Sequence, residues 1–422
     1  MTQKTQRPEV KQVLKCRACD SKNITTFLEL GPTPIPNGFI AKVDLSKPEK
    51  FYPLDVCFCS KCGMVQLSHV VDPQVMFGNY VYVPSTSTTM VRHFDGLAKD
   101  ASKRVDLEPG NLVVDIGSND GTLLKAFRSR GATILGIDPA TNLAVLANEQ
   151  GIPTINKFFT KKLAKLLRQQ HGRAKIISAT NVVAHVDDLH DFFEGVNTLL
   201  DEGGQFVMEF PYLVNLIKGR EFDTIYQEHL SYLSVSPLLG LLRQHGLNLV
   251  SPKLYRVHGG SMRVYATKGK AAEDKEIQRF VVKERREGML KEETYLDFQR
   301  AVARVRNNLN EQLYRLRNLD MMVAGYGASA KGNILLNYCR IGRETIPFIV
   351  DSIPYKQGKF TPGTHIPILP EDQLLVRQPD VTLLLAWNFA DEIVAKQKEY
   401  IKKGGRFVRP IPVLELIRPR KK

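Results

Sequence analysis

Sulfur is the first chemistry this chain offers. Five of its six cysteines lie in the first 62 residues, and four form two C-x-x-C pairs, Cys16-Arg-Ala-Cys19 and Cys59-Ser-Lys-Cys62. A two-residue turn brings both sulfurs of such a pair to one side of a tight loop. Two pairs then build the four-thiolate tetrahedron that zinc prefers, and a site closed by four protein sulfurs is structural. Disulfides are disfavoured, because no apolar segment follows the N-terminal charges as in a secretory signal. A redox role is disfavoured because neither pair sits in a βαβ pattern. Cys57 is a fifth sulfur, readable as a buried bystander or as a substitute ligand.

Carboxylates around a glycine turn come second. Asp115-Ile-Gly117-Ser-Asn119-Asp120-Gly121 follows the apolar run 111–116, and a second run, Thr133-Ile-Leu-Gly-Ile, ends in Asp138. This turn is D-x-G-x-x-x-G and lacks the closely spaced glycines with which a G-x-G-x-x-G loop approaches a pyrophosphate. S-adenosylmethionine carries no phosphate. It needs glycines for close approach, acids for its cationic methionine end, and an acid on the next strand for the ribose hydroxyls. Asp115, Gly117, Asp120, Gly121 and Asp138 supply that set, which favours a methyltransferase core over a dehydrogenase.

Imidazoles come third, as Asn181-Val-Val-Ala-His185 and Tyr226-Gln-Glu228-His229. A histidine near the end of a sheet strand suits a general base, because its ordinary pKa lies near neutrality. Either one alone is as readily a structural histidine; two at the ligand edge favour function. Upstream, the hydroxyl-rich run from Tyr80 to Ser87 alternates like a strand.

The elements that must position these groups follow from length and pattern. At 422 residues, 43% hydrophobic and 24% charged, the chain suits two to three globular domains of roughly 150 residues each. Strands over 111–116, 133–138, 175–180 and 205–210, separated by helical patterns, predict a parallel doubly wound sheet with its ligand at the carboxyl ends. The segment 271–318 is charged and nearly free of Gly and Pro, which predicts one or two helices. After it, Gly325-Tyr-Gly327-Ala-Ser-Ala330 reads as a second strand–glycine–helix unit, with Asp351 ending the next strand; by this fingerprint a redox dinucleotide is the runner-up for that region. No apolar run reaches the roughly 20 residues of a membrane span, so a cytoplasmic protein is expected. The net charge of +15 suggests an anionic partner, but the basic residues are dispersed and form no aromatic-interleaved groove for nucleic acid.

Taken together and in this order, these motifs resemble the three-domain sugar C-methyltransferases, which methylate C3 of nucleotide-linked 4-keto-deoxysugars. The C-terminal Gly325–Gly332, Lys356–Pro367 and Leu385–Asn388 stretches extend the likeness, which runs from about Cys16 to Pro412. The resemblance implies an α/β architecture: a small zinc-binding domain (1–75), a central doubly wound class I methyltransferase domain (76–270), and a C-terminal Rossmann-like domain (271–422) binding the nucleotide sugar. It implies His229 as the base, with Tyr226 and Glu228 in the same motif and His185 and Tyr80 in the catalytic pocket. Asn119 and Asn181 join the cofactor residues, and Tyr80, Asn181, Glu228 and Lys331 face the substrate. S-adenosylmethionine and a structural Zn2+ are the expected cofactors. The expected partner is a nucleotide sugar rather than a nucleic acid or membrane, and the chain is expected to be a monomer or weak oligomer. A nucleic-acid methyltransferase carrying a zinc knuckle is the alternative.

Overall fold

The computed structural model describes residues 9–78, 80, 83–255, 260–269 and 274–417. The chain forms two compact units that interleave in sequence. One comprises Met1–Thr25, Cys57–Val214 and Leu230–Lys291; the other comprises Thr26–Val56, Asn215–His229 and Glu292–Lys422.

The first unit is built on a seven-stranded sheet. Its strands are β1 (Leu112–Ile116), β2 (Thr133–Ile137), β3 (Thr154–Ile155), β4 (Ala174–Thr180), β5 (Leu200–Pro211), β6 (Leu247–Tyr255) and β7 (Ser261–Lys268), in spatial order 3-2-1-4-5-7-6. Every residue of β1 is buried, as a central parallel strand covered on both faces requires. The first five strands run parallel, but β7 pairs antiparallel with both β5 and β6. The four strands expected from the sequence all lie in the parallel part, and the antiparallel β6–β7 edge lies beyond them. In β6 buried Leu247 and Leu249 alternate with half-exposed neighbours, the period-2 pattern of an antiparallel strand with one covered face.

Helix α1 (Thr88–Arg104) starts where the Ser87 hydroxyl accepts the Met90 N–H, and it buries Met90, Phe94, Leu97, Ala98 and Ala101 at helical spacing. The strand-like reading of Tyr80–Ser87 is also corrected: Pro84–Thr86 is a single 3-10 turn, and Val81 and Tyr82 lie outside the described residues. Helix α2 (Thr122–Arg128) leaves the β1 turn directly after Gly121. In the cysteine-rich part, Val10–Gln12 pairs with His69–Val71, and Val65–Gln66 with Ser231–Tyr232, both antiparallel.

The charged segment resolves into two helices. Between them Gly288 takes a left-handed φ of +75°, which glycine adopts at no steric cost. The helix before this break, α4 (Lys275–Arg286), buries Glu284, whose carboxylate accepts the first N–H groups of α3 (Val235–Gln244) at 2.7 and 2.8 Å. The helix after it, α5 (Glu292–Asn318), belongs to the second unit.

That unit carries its own six-stranded sheet: β8 (Val323–Tyr326), β9 (Ile349–Asp351), β10 (Ile368–Pro370), β11 (Val381–Leu384), β12 (Arg406–Arg409) and β13 (Glu415–Ile417). The order is 10-9-8-11-12-13, parallel except for the last pair. Counted within the unit this is 3-2-1-4-5-6, the doubly wound arrangement whose switch point lies beside its first strand. Helix α6 (Ala330–Cys339) rises from that point, capped by Ser329, whose hydroxyl accepts the Gly332 N–H. Tyr326, Phe348, Val350, Leu384, Tyr400 and Phe407 form part of the core beneath.

Candidate active site

The four cysteines converge. Their sulfurs all lie within 4.8 Å of one another, with Cys16–Cys62 at 3.5 Å and Cys19–Cys59 at 3.7 Å. Four thiolates about 2.3 Å from a tetrahedral zinc stand about 3.8 Å apart, so the cluster fits that ion. Both knuckles use one device. The residue after the second cysteine takes a left-handed φ, Asp20 at 55° and Gly63 at 80°, and its N–H returns to the carbonyl of the first, at 3.0 Å for Cys16 and 2.8 Å for Cys59. Cys57 is the bystander: its thiol reaches the Gln66 carbonyl at 3.5 Å, and burial pushes its pKa up to about 12.

At the carboxyl end of β1, Asp115 is buried and accepts the Ser178 hydroxyl of β4 at 2.6 Å; burial pushes its carboxyl up to about 7. Gly117 and Gly121 take left-handed φ values of 67° and 75°. A Cβ at Gly117 would stand 2.4 Å from Val182 and one at Gly121 2.7 Å from Ile152, so no side chain fits either place. Asn119 sends its N–H to Asp138 at 2.8 Å, and the second oxygen of Asp138 accepts Ala140 N–H at the same distance. Asp120 turns back onto its own helix, taking the Thr122 hydroxyl at 2.6 Å and the Ser85 N–H at 3.2 Å. The loop thus gathers three carboxylates, and Asp115–Leu124 contains no Lys or Arg. That donor set fits a phosphate-free cationic nucleoside and opposes a pyrophosphate.

Two further groups lie in this unit. Asn181, at a left-handed φ of 57°, donates its N–H to the Glu209 carbonyl of β5. His185 stacks on Phe77 with centroids 5.5 Å apart, and Tyr80 lies 6.0 Å from the same ring, so Phe77 brings these two side chains together. Burial pushes the His185 imidazole down to about 4, which leaves it neutral near pH 7.

Tyr226, Glu228, His229 and Lys331 belong to the second unit. His229 Nδ1 lies 2.7 Å from the Thr224 carbonyl. A carbonyl only accepts, so Nδ1 carries the hydrogen and the neutral ring keeps its basic lone pair on Nε2. The Tyr226 ring stands 3.9 Å from the imidazole, and buried Glu228 accepts the side-chain N–H of Asn37 at 2.8 Å. Lys331 lies over the Trp387 face at 4.7 Å, with Glu221 at 3.9 Å; among the described residues its buried ammonium has no hydrogen-bond partner. Burial pushes Glu221 up to about 7 although Lys331 opposes the shift, and burial likewise raises Asp223, which accepts the Trp387 N–H at 2.6 Å.

Near the Gly325 fingerprint, Asp351 accepts the N–H groups of Ala328 and Ile353 at 2.8 Å, as Asp138 accepts two in the first unit. Lys356 adds an ion pair to it at 3.3 Å. Gly332 serves packing, since a Cβ there would meet Leu385 at 2.7 Å.

Sequence reading leaves several polar groups without a role or partners, although it places Glu209 at the end of a strand at the ligand edge. Glu209 is buried between His93 at 2.7 Å and Arg263 at 2.5 Å, and Arg263 also covers the Tyr255 ring. Burial would raise the Glu209 carboxyl, but these two partners hold it below its usual range. Its placement at a strand end before Pro was the visible signal; its partners, 116 and 54 residues away, left none. Asn37, Glu221 and Asp223 are likewise left without a role or partners.

Comparison with known proteins bears on these sites. Family models match in three stretches: a zinc binding domain over 16–77, a methyltransferase domain over 90–252, and a C-methyltransferase C-terminal domain over 256–412. The C-methyltransferase NovU of Streptomyces niveus is 39% identical over 407 residues, 96% of this chain and 96% of its own. The ubiquinone biosynthesis O-methyltransferase of Methylobacterium nodulans is 26% identical over 168 residues, 39% of this chain and 62% of that protein. Among solved structures, magnesium protoporphyrin IX methyltransferase from Synechocystis PCC 6803 with bound SAH aligns at 15% identity and a TM-score of 0.35, covering 46% of this chain and 92% of its own.

Proposed function

The chain belongs to the zinc-containing, S-adenosylmethionine-dependent C-methyltransferase family, and from that premise we propose that it methylates C3 of a nucleotide-linked 4-keto-deoxysugar through an enolate. The observation that carries the reading is the His229 hydrogen bond to Thr224, which supports an imidazole with its base on Nε2.

Carbon becomes nucleophilic only when a proton leaves it, and a ketone at C4 acidifies the C3 hydrogen. In this reading His229 takes that proton through Nε2. Glu228 and Tyr226 orient the sugar, and Tyr80 or a neutral His185 donates to the developing C4 oxyanion. A preorganised donor of this kind contributes about 3–4 kcal/mol. Asp115, Gly117, Asn119, Asp120, Gly121, Asp138 and Asn181 hold the methyl donor, with Asp138 on the ribose. Bound S-adenosylmethionine supplies the electrophilic methyl group. The zinc on Cys16, Cys19, Cys59 and Cys62 takes no part in the reaction. Lys331 brings positive charge to the diphosphate, with the Glu221 carboxyl, raised by burial, beside it.

The test is product analysis. Purified protein is incubated with S-adenosylmethionine and a panel of thymidine- and guanosine-linked 4-keto-deoxysugars. A new methyl carbon on C3, seen by NMR, is the expected result; methylation of oxygen, or of no sugar in the panel, contradicts the proposal.

A further inference from the structure

The loop Gly31–Gly38 lies in sequence between the two cysteine knuckles, yet it packs in the second unit against the Tyr226–His229 motif. Pro36 and Gly38 occupy the second and fourth positions of a turn closed by the Gly38 N–H on the Ile35 carbonyl at 3.0 Å, a composition that favours such turns. Three contacts fix the loop that carries this turn. Asn333 of α6 donates to the Pro36 carbonyl at 2.6 Å, Gln227 donates to the Thr33 hydroxyl at 2.8 Å, and Asn37 donates to Glu228 Oε1 at 2.8 Å. Thr33, Gln227, Glu228 and Asn333 are each 1% exposed, while Asn37 is half-buried.

We infer that Asn37 is a positioning residue for Glu228, which makes the Gly31–Gly38 loop an element of the active site. The inference rests on the reading of Glu228 as a substrate-facing group. A neutral amide donor favours the ionised carboxylate without a competing charge, and the rigid turn fixes the direction in which that carboxylate points. The two neighbours of Glu228 in sequence, buried Gln227 and half-buried His229, are held by separate partners, Thr33 and Thr224. Asn37 therefore governs Glu228 in particular rather than the whole motif.

The experiment compares wild type, Asn37→Ala and Asn37→Asp for methyl transfer across pH 5 to 9. Removal of a hydrogen bond to a charged group predicts a fall in kcat of about 10- to 100-fold for Asn37→Ala at every pH. Asn37→Asp behaves differently. When protonated, its new carboxyl donates to Glu228 as the amide did; when ionised, it repels Glu228. Its activity should approach wild type at low pH and fall as pH rises, a limb absent from the other two proteins. A purely structural role gives Asn37→Asp and Asn37→Ala the same profile, and that result overturns the inference.

Melting curves read the pair without turnover. The proton shared by two carboxyls raises their folded pKa, so Asn37→Asp should lose stability relative to Asn37→Ala as pH rises, and adding Glu228→Gln should abolish that trend. If the trend survives Glu228→Gln, the pairing is wrong. If the trend behaves as expected but wild type methylates no sugar, the sugar reading falls and the Asn37–Glu228 pair stands.

Discussion

Hydrogen-bond direction decides what the two candidate histidines can do. Thr224 fixes the hydrogen of His229 on Nδ1, and a base is left on Nε2. His185 is different: burial holds it neutral far below pH 7, so it suits a donor better than a base. His229→Asn should therefore lower methyl transfer by about 10²–10⁴ while leaving the circular dichroism spectrum unchanged, and His185→Asn should be the milder lesion. The His185 shift also predicts a pH dependence of stability. Its folded pKa of about 4 lies below the ordinary value of 6.5, so its contribution is complete above pH 6.5 and is lost as pH falls toward 4. The loss amounts to at most about 3 kcal/mol. The stability of wild type relative to His185→Gln should be constant above pH 6.5 and fall between pH 6.5 and 4 in thermal melts; a constant difference across that range contradicts it. Residues with a local signal were legible in the sequence, such as the knuckle cysteines and the Asp115 turn. Asn37, Glu209 and Asp223 were not, because their partners are brought to them only by the fold.

Knuckles and glycine turns are the elements to which the proposed assignment gives the cofactors. The zinc site is assembled from two turns about 40 residues apart in sequence, each closed by a left-handed residue and a returning N–H. Metal analysis should find one zinc per chain in wild type and none in Cys59→Ser/Cys62→Ser, whose melting point should fall sharply; unchanged zinc would refute the ligand set. In the β1–α2 turn, Asp138→Asn should weaken S-adenosylmethionine binding by about tenfold or more in calorimetry, because a hydrogen bond to a charged group is lost. Unaltered affinity would place the ribose elsewhere. Strands β1, β2 and β4 were readable from their apolar runs, and the helix pair around Gly288 from its charge pattern. The β6–β7 pair was not, since Ser261–Ala266 is buried throughout and shows no alternation, and that of Leu247–Tyr255 is short. The run Tyr80–Ser87 misled for a related reason: Pro84 removes a backbone donor, and alternation of hydroxyl residues does not require a ladder.

Each unit of the molecule carries a doubly wound sheet, and each sheet ends its second strand in an acid that accepts two backbone N–H groups. The two sheets were legible as repeated βα patterns, but the interleaving of the units was not, since linear domain boundaries cannot show that segments 26–56 and 215–229 join the C-terminal half. Among the described residues no helix is long and apolar enough to cross a membrane. The net charge of +15 fits an anionic small molecule, and weak, salt-erased RNA binding is expected in an anisotropy titration rather than a saturable complex. The central claim is proton abstraction by His229, and isotope exchange reads it directly. The protein is placed in D₂O with a 4-keto nucleotide sugar and S-adenosylhomocysteine in place of the methyl donor, and C3 is followed by NMR. Wild type should wash deuterium into C3 without methylating it, and His229→Asn should do so about 10²–10⁴ times more slowly. Exchange by His229→Asn at the wild-type rate would assign the base to another residue.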